Sequence, residues 1–297
     1  LVELRQALDD IDFRLVLDVT PNHIGHDHHW FVEARADATS ESAEYFTFHE
    51  HPHNYESWLG IPTLPKLNFA SEAVRDVMVH SENAVLRHWL QEPYRIDGWR
   101  LDVFNMTGRQ GGEDWNHWLG RALRRAAQEE NPDAYIFGES FFDAIDNLQG
   151  DQLDAVMNYR GFAEPIWRWL SGHNVTPPSE KNEYSRLPAE AVAEQMQHYM
   201  AAIPWVIARQ QYNLLGSHDT PRILSVVNGD EALAKLAATL LFTFPGVPSI
   251  YYGDEIGMAG TLDKESHRFP MRWNESDWNT DIRHHYQQLI QLRRSSD

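Results

Sequence analysis

The chain has no cysteine. Disulfides, thiolate metal sites and a cysteine nucleophile are therefore excluded. Such a composition suits a reducing compartment, and a cytoplasmic location is the expectation. Basic residues are scarce: 25 Lys and Arg against 44 Asp and Glu leave a formal charge of −19. That field repels a polyphosphate backbone, so nucleic acid is not expected as a partner. The plainer consequence of the acidity is solubility. No apolar run is long enough to cross a membrane, and no secretory leader pattern is visible. The chain opens at Leu1 inside a helix-like segment, and the expectation is that the protein's own N-terminus lies upstream. Neither internal repeats nor low-complexity tracts are present. Aromatic residues, by contrast, are plentiful, with eleven Trp and eleven Tyr. Rings of this kind stack on the C–H faces of sugars, although most of them serve a core or scaffold.

Short, nearly continuous apolar runs read as strands covered on both faces. They are Phe13–Val19, Ile96–Leu101, Ala134–Phe137, Ala155–Tyr159, Tyr212–Gly216 and Pro248–Tyr252. Between most of them the pattern is helical, clearest over Arg75–Leu90, Asp114–Gln128, Ala189–Tyr199 and Glu231–Phe242. Strand–helix alternation argues for an α/β fold with a parallel sheet wrapped by helices. Residues 24–67 are rich in His, Pro, aromatic and acidic residues without clean periodicity. That is too long for an ordinary connection, so an inserted subdomain or lid is expected. Gly172–Pro188, with Pro177-Pro178, reads as a surface excursion. Six strands fall short of the eight of a closed barrel, and an open six-stranded sheet is the alternative on these grounds.

Polar residues gather where the apolar runs end. Asp18 closes the first, within Leu17-Asp18-Val19-Thr20-Pro21-Asn22-His23, and Asp102 closes the second, within Asp97-Gly98-Trp99-Arg100-Leu101-Asp102. Glu139 follows Ile136-Phe137-Gly138, and His218-Asp219 follows Gly216-Ser217. In a parallel barrel all strand C-termini open onto one face, so carboxylates distant in sequence would meet. Cleaving a glycosidic bond with retention needs two carboxyl groups about 5–5.5 Å apart, one attacking and one delivering the proton. Like charges that close keep one of them protonated near neutrality. Arg100 lies two residues before Asp102, so on a strand both point to the same side. Taken singly, each residue has a plain alternative: an Asp at a strand end is more often a cap than a catalyst. The joint pattern favours chemistry. His26, Asp27, His28 and His29 lack the spacing that puts metal ligands on one helical face, and read as loop residues or a cleft edge. Trp30, Tyr55 and Trp58 are candidates for either sugar subsites or the insert's own small core.

On these residues the sequence resembles the α-amylase family, glycoside hydrolase family thirteen. Asp18–His23 is similar to its first conserved region, Asp97–Asp102 to the second, Gly138-Glu139 to the third and Ser217–Asp219 to the fourth. Leu64-Pro65-Lys66-Leu67-Asn68 is similar to the fifth, in the form of the neopullulanase and cyclomaltodextrinase branch. Gly246–Pro248 through Tyr251–Glu255 is similar to the seventh. Tyr94–Asp102, Met157–Phe162, Gly111-Gly112 and Tyr251–Gly257 carry a particular likeness to bacterial maltodextrin glucosidases.

The resemblance implies a TIM (β/α)8 barrel, of which residues 1–297 would supply strands three to eight, with residues 24–67 inserted after the third. The family's first two strands, its C-terminal β-sandwich and the N-terminal domain of this branch have no counterpart in the sequence. It implies Asp102 as nucleophile, Glu139 as general acid/base and Asp219 as stabiliser of the transition state. His23, Arg100 and His218 would bind the sugar beside the cleaved bond, with Asp18 and Asn22 in the same site. The expected partner is an α-glucan or maltodextrin. Asn22 stands where calcium-dependent members place a ligand, but the branch often lacks that calcium, so no metal or other cofactor is assigned. Two alternatives stay open: a neopullulanase, cyclomaltodextrinase or maltogenic amylase activity, and a non-catalytic homologue or fragment.

Overall fold

The computed structural model describes residues 1–175, 182–183 and 186–295. Pro177-Pro178 of the expected surface excursion lie outside the described residues. The chain divides into two compact units, one of Leu1–Ser140 with Asp146–Asp154, the other of Phe141–Ile145 with Ala155–Asp297. All six expected strands are present: β1 (Val16–Val19), β2 (Gly98–Leu101), β3 (Tyr135–Gly138), β4 (Ala155–Val156), β5 (Tyr212–Leu214) and β6 (Val247–Ser249). They are shorter than the apolar runs, because flanking residues are used in turns. Phe13, for example, is exposed and its N–H closes a turn onto the Leu8 carbonyl at 2.9 Å.

In the first unit β1, β2 and β3 pair in parallel, in that order. The register aligns Asp18 with Arg100 and Arg100 with Phe137. At the opposite end of the strands, Asp97 accepts hydrogen bonds from the Arg5 guanidinium at 2.6 Å and the Leu15 N–H at 2.7 Å. That acid of the second motif thus fastens helix α1 (Val2–Asp9) to the sheet. Helix α3 (Asn116–Glu130) buries Leu119, Leu123, Ala126 and Ala127, a stripe of helical period. The single helix expected over Arg75–Leu90 is broken. A short helix at Glu72–Arg75 widens into a π turn at Asp76–His80, closed by the Ser81 N–H on the Asp76 carbonyl at 3.0 Å. Helix resumes only at Val85–His88. Ser81 and Ala84 take extended backbone between them, so local polar residues override the apolar period.

Residues 24–67, where an insert is expected, hold regular structure. Helix α2 (His29–Ala36) is capped by His28, whose Nδ1 accepts from the Trp30 N–H at 3.3 Å, and a hairpin joins Phe48–Glu50 to Asn54–Tyr55. Phe31, with no exposed surface, packs against Phe46 and Tyr55 with ring centroids 4.8 and 4.7 Å apart. An antiparallel bridge from Lys66 to His23 ties the end of this segment to its start, and one from Pro65 to Ser57 lies within it.

In the second unit β5 pairs in parallel with β6, and Met157, just beyond β4, bridges to Tyr212 in the same sense. Helices α4 (Ala189–Ala201), α5 (Glu231–Thr243) and α6 (Thr280–Arg294) cover it. Asp230 caps α5 and Asn279 caps α6 with side-chain oxygens. The seventh motif is structural here. Arg222 is fully buried, with its guanidinium 4.5 and 4.8 Å from the Tyr251 and Tyr252 ring centroids. Burial pushes the Asp254 carboxyl up to about 7, against the pull of Arg222. No helix among the described residues is long and apolar enough to cross a membrane.

Two glycines set how closely the strands and loops of the first unit approach. A Cβ on Gly98 would sit 2.0 Å from the Tyr135 carbonyl oxygen, and one on Gly138 3.0 Å from Leu153 and Phe104. Gly98→Ala must therefore push β2 from β3. Thermal or denaturant unfolding should show a loss of at least about 3 kcal/mol, the upper range for overpacking. Parent-like stability would mean that the strands can separate freely.

Candidate active site

The parallel register builds the site. In neighbouring parallel strands, residues in register face the same side, and each second residue along a strand repeats that face. Asp18, Arg100 and Phe137 share one level. The ladder continues one step past the strands: the Asp102 N–H donates to the Val19 carbonyl at 2.9 Å and the Glu139 N–H to the Leu101 carbonyl at 2.8 Å. Asp102 and Glu139 are therefore level with each other, one layer above Arg100 and on its side.

Arg100, 8% exposed, holds the acids together. Its Nη1 donates to Asp102 at 2.7 Å and to both Asp18 oxygens at 2.9 and 3.1 Å, while Nη2 stands 3.1 Å from the Glu139 carboxylate. That last contact is an ion pair without hydrogen-bond alignment, since Nη2 has no hydrogen-bond partner. Burial works against the guanidinium charge, but Glu139, Asp18 and Asp102 outweigh it and hold Arg100 more firmly protonated than usual. One arginine fork thus touches both of the carboxyl groups that paired acid and nucleophile chemistry would use.

Glu139 is buried and accepts from the Val103 N–H at 2.8 Å. Val103 has φ of 48°, a left-handed conformation that a β-branched residue adopts only under strain. The strain costs about 1–3 kcal/mol, and it occurs immediately after Asp102, where it turns a backbone donor toward Glu139.

His23 stacks on Trp58, ring centroids 5.1 Å apart and planes within 10°. Its Nδ1 lies 3.0 Å from the Asn22 amide nitrogen. Burial lowers its pKa; Asp102 opposes the shift and Lys66 adds to it. Asn22 has no exposed surface, and its Oδ1 has no hydrogen-bond partner. A calcium shell needs six to eight oxygens. Among the described residues no group of three or more His, Cys, Asp or Glu comes together that could hold a metal. His26–His29 likewise form no such group: His28 caps α2 and stacks on His29 with centroids 4.4 Å apart. Trp30 packs on Tyr45, and Tyr55 on Phe31, inside the insert, leaving Trp58 as the aromatic residue of the three that reaches the site.

His218 and Asp219 belong to the second unit. Tyr159 donates to the Ser217 hydroxyl at 2.9 Å, which in turn accepts the Asp219 N–H at 3.1 Å. Asp219 takes Arg268 Nη2 at 2.9 Å and His218 Nε2 at 3.1 Å, and the Arg268 Nε also donates to the His218 carbonyl at 2.6 Å. Sequence reasoning missed Arg268, an arginine in a loop with no motif around it. Lys66 entered only as a letter of the fifth motif. Its signal was a single charge set between Leu64-Pro65 and Leu67.

A carboxylate set at the C-terminal ends of parallel strands, gripped by one arginine, defines an α/β domain of the kind that carries TIM-barrel active sites. The model of the α-amylase catalytic domain matches residues 1–297, and the chain belongs to that family. It is 35% identical over 288 residues to a cyclomaltodextrinase of Geobacillus thermopakistaniensis, covering 95% of this chain and 44% of that protein. It is also 35% identical to neopullulanase 2 of Thermoactinomyces vulgaris, covering 94% and 44%. Among solved structures, Ttha1563 of Thermus thermophilus superposes with a TM-score of 0.87 at 34% identity, over 99% of this chain and 62% of that one. The chain thus spans less than half the length of the two curated relatives. Membership gives it a TIM-barrel-like α/β fold.

The environment of His23 fixes how it titrates. Proton NMR should find it losing its proton below 6.5, the ordinary histidine value. Since Asp102 pulls the pKa up, Asp102→Asn should lower it further. A rise in that variant would show that Asp102 does not face the ring.

Proposed function

We propose that this chain carries the catalytic part of a retaining α-glucan hydrolase that cleaves α-1,4-glucosidic bonds of maltodextrins. The observation that carries the reading is the Arg100 guanidinium on Asp18, Asp102 and Glu139 together. In the proposed reaction Asp102 attacks the anomeric carbon while Glu139 gives its proton to the departing glycosidic oxygen, leaving a glucosyl–Asp102 ester. Glu139, now a carboxylate, takes a proton from water. That water attacks the anomeric carbon and releases Asp102. Two inversions return the α configuration. Arg100 donates to Asp102 and aims it as the attacking group.

Asp219 is assigned to stabilising the positive charge of the transition state, and His23 and His218 to sugar hydroxyls. Asp18 is engaged with Arg100, and Asn22, buried against the His23 ring, is assigned to orienting that ring rather than to touching sugar. No step runs through a metal. The same reading takes residues 1–297 as strands three to eight of the barrel, residues 24–67 as an inserted subdomain, and the cytoplasm as the place of action.

The names of the relatives favour a second reading within the family, a cyclomaltodextrinase, neopullulanase or maltogenic amylase activity. Product analysis on maltotriose, γ-cyclodextrin and pullulan separates the two. Glucose from maltotriose alone is expected of a maltodextrin glucosidase, and ring opening of the cyclodextrin would replace that reading with the second. Initial products should be α by NMR; initial β-anomer would exclude retention.

The roles of the two carboxyls separate by leaving group. Asp102→Asn should lower turnover of every substrate by at least about 10⁴-fold, the scale of losing a nucleophile's function. Glu139→Gln should harm maltotriose far more than an activated aryl glucoside, whose leaving group needs no proton. Equal losses on both substrates would remove Glu139 from the acid role.

A further inference from the structure

One buried charge that touches the proposed nucleophile's loop has no assigned part in the reaction. Lys66 is 5% exposed. Its ammonium donates to the Met106 carbonyl at 3.1 Å and the Arg109 carbonyl at 2.5 Å, and neither partner is a carboxylate. Burying an ammonium on neutral acceptors is costly, and an apolar side chain of similar length would fill the space without that cost. A group kept in place against its own solvation points to a role other than stability.

The segment it holds is the loop that leaves Asp102. Val103 turns there with its strained backbone and sends its N–H to Glu139. Among the loop's other carbonyls, Phe104 and Thr107 accept from the Asn116 amide at 2.7 and 3.1 Å, Val103 from the Thr107 hydroxyl at 3.0 Å, Asn105 from Arg109 Nη1 at 2.8 Å and Gly108 from the Trp115 N–H at 2.9 Å. Lys66 takes those of Met106 and Arg109 from the side of residues 24–67. Two further contacts follow the same path: Trp58 Nε1 lies 3.3 Å from the Met106 sulfur, and the Gln110 amide donates to Thr47 and Asn68 at 2.8 Å each.

We propose that Lys66 is a positioning residue for Asp102, its buried ammonium fastening the nucleophile's loop to the inserted segment and opposing the field of Asp102 at His23. The proposal rests on the reading of Asp102 as nucleophile. Lys66 acts through backbone carbonyls, so its loss displaces Asp102 and the Val103 N–H without removing any group that reacts. Around His23 the facing groups are Asp102, Lys66, the Asn22 amide and the Trp58 ring. Lys66 supplies the positive member of that set. Burial also pulls the pKa of Lys66 down, with Glu56 opposing, so the ammonium gives up its proton earlier on the alkaline side than a free lysine does.

The test uses Lys66→Met and Lys66→Arg in the purified protein. Lys66→Met should keep its melting temperature yet lose about 100-fold in kcat on maltotriose, the scale of a small misplacement of reacting groups, with KM little changed. Its His23 should titrate at higher pH by NMR, because the opposing charge is gone. Lys66→Arg, which keeps the charge, should recover much of kcat and restore the His23 titration. Lys66→Gln gives the same readouts as Lys66→Met where that variant does not fold. Parent-like kcat in Lys66→Met overturns the proposal, as does a loss of activity that only follows a fallen melting temperature. A Lys66→Arg variant as slow as Lys66→Met overturns it too. If the parent itself leaves maltotriose, γ-cyclodextrin and pullulan intact, the hydrolase reading fails. The His23 titration, which needs no turnover, then decides about Lys66 separately.

Discussion

Everything in the first unit's site depends on one buried cation among acids. Three carboxylates gathered at strand ends would repel one another and stay apart in water, so the chain must supply a charge to collect them. Arg100 does this from within the sheet itself, with a planar fork whose two ends serve different partners. Its location is set by backbone hydrogen bonds in β1, β2 and β3, which leave little freedom for the guanidinium to drift. Removing it would take one shared counter-charge from Asp18, Asp102 and Glu139 at once, and for the buried Glu139 the loss of a cation partner is costly.

The close approach of β2 to β3 is the geometric counterpart of that electrostatic demand. Gly98 lets the Tyr135 carbonyl come where a side chain would otherwise stand, and Gly138 leaves room for Leu153 and Phe104 beneath Glu139. Val103 then spends strain to bend away while still offering its N–H to Glu139. Small residues below and a strained one above thus bring two acids from different strands to one level. Such a cost is typical of functional sites, where the surrounding structure overrides local preference.

Much of this was legible in the sequence. All six strands showed as apolar runs, and of the polar residues ending them the register of the first unit assembles Asp18, Asp102 and Glu139. The two-residue spacing of Arg100 and Asp102 already placed them on one side. What escaped has physical reasons. The break at Asp76–His80 depends on a carbonyl choosing a partner five residues on, which no apolar period records. The insert is aperiodic because its core is made of a few rings packed edge to face around Phe31. Lys66 and Arg268 act through partners about 40 and 50 positions away, and a contact at that range leaves no mark on local composition.

The acids of the two units have counter-charges of different kinds. Arg100 is inside, with a side chain 10% exposed, whereas Arg268, which grips Asp219, is 55% exposed. Mobile ions screen an exposed pair and hardly reach a buried one. Rising ionic strength therefore loosens Asp219 from its arginine while Asp102 stays held. The medium around the protein can tune one carboxylate of the proposed set and leave the other two unchanged.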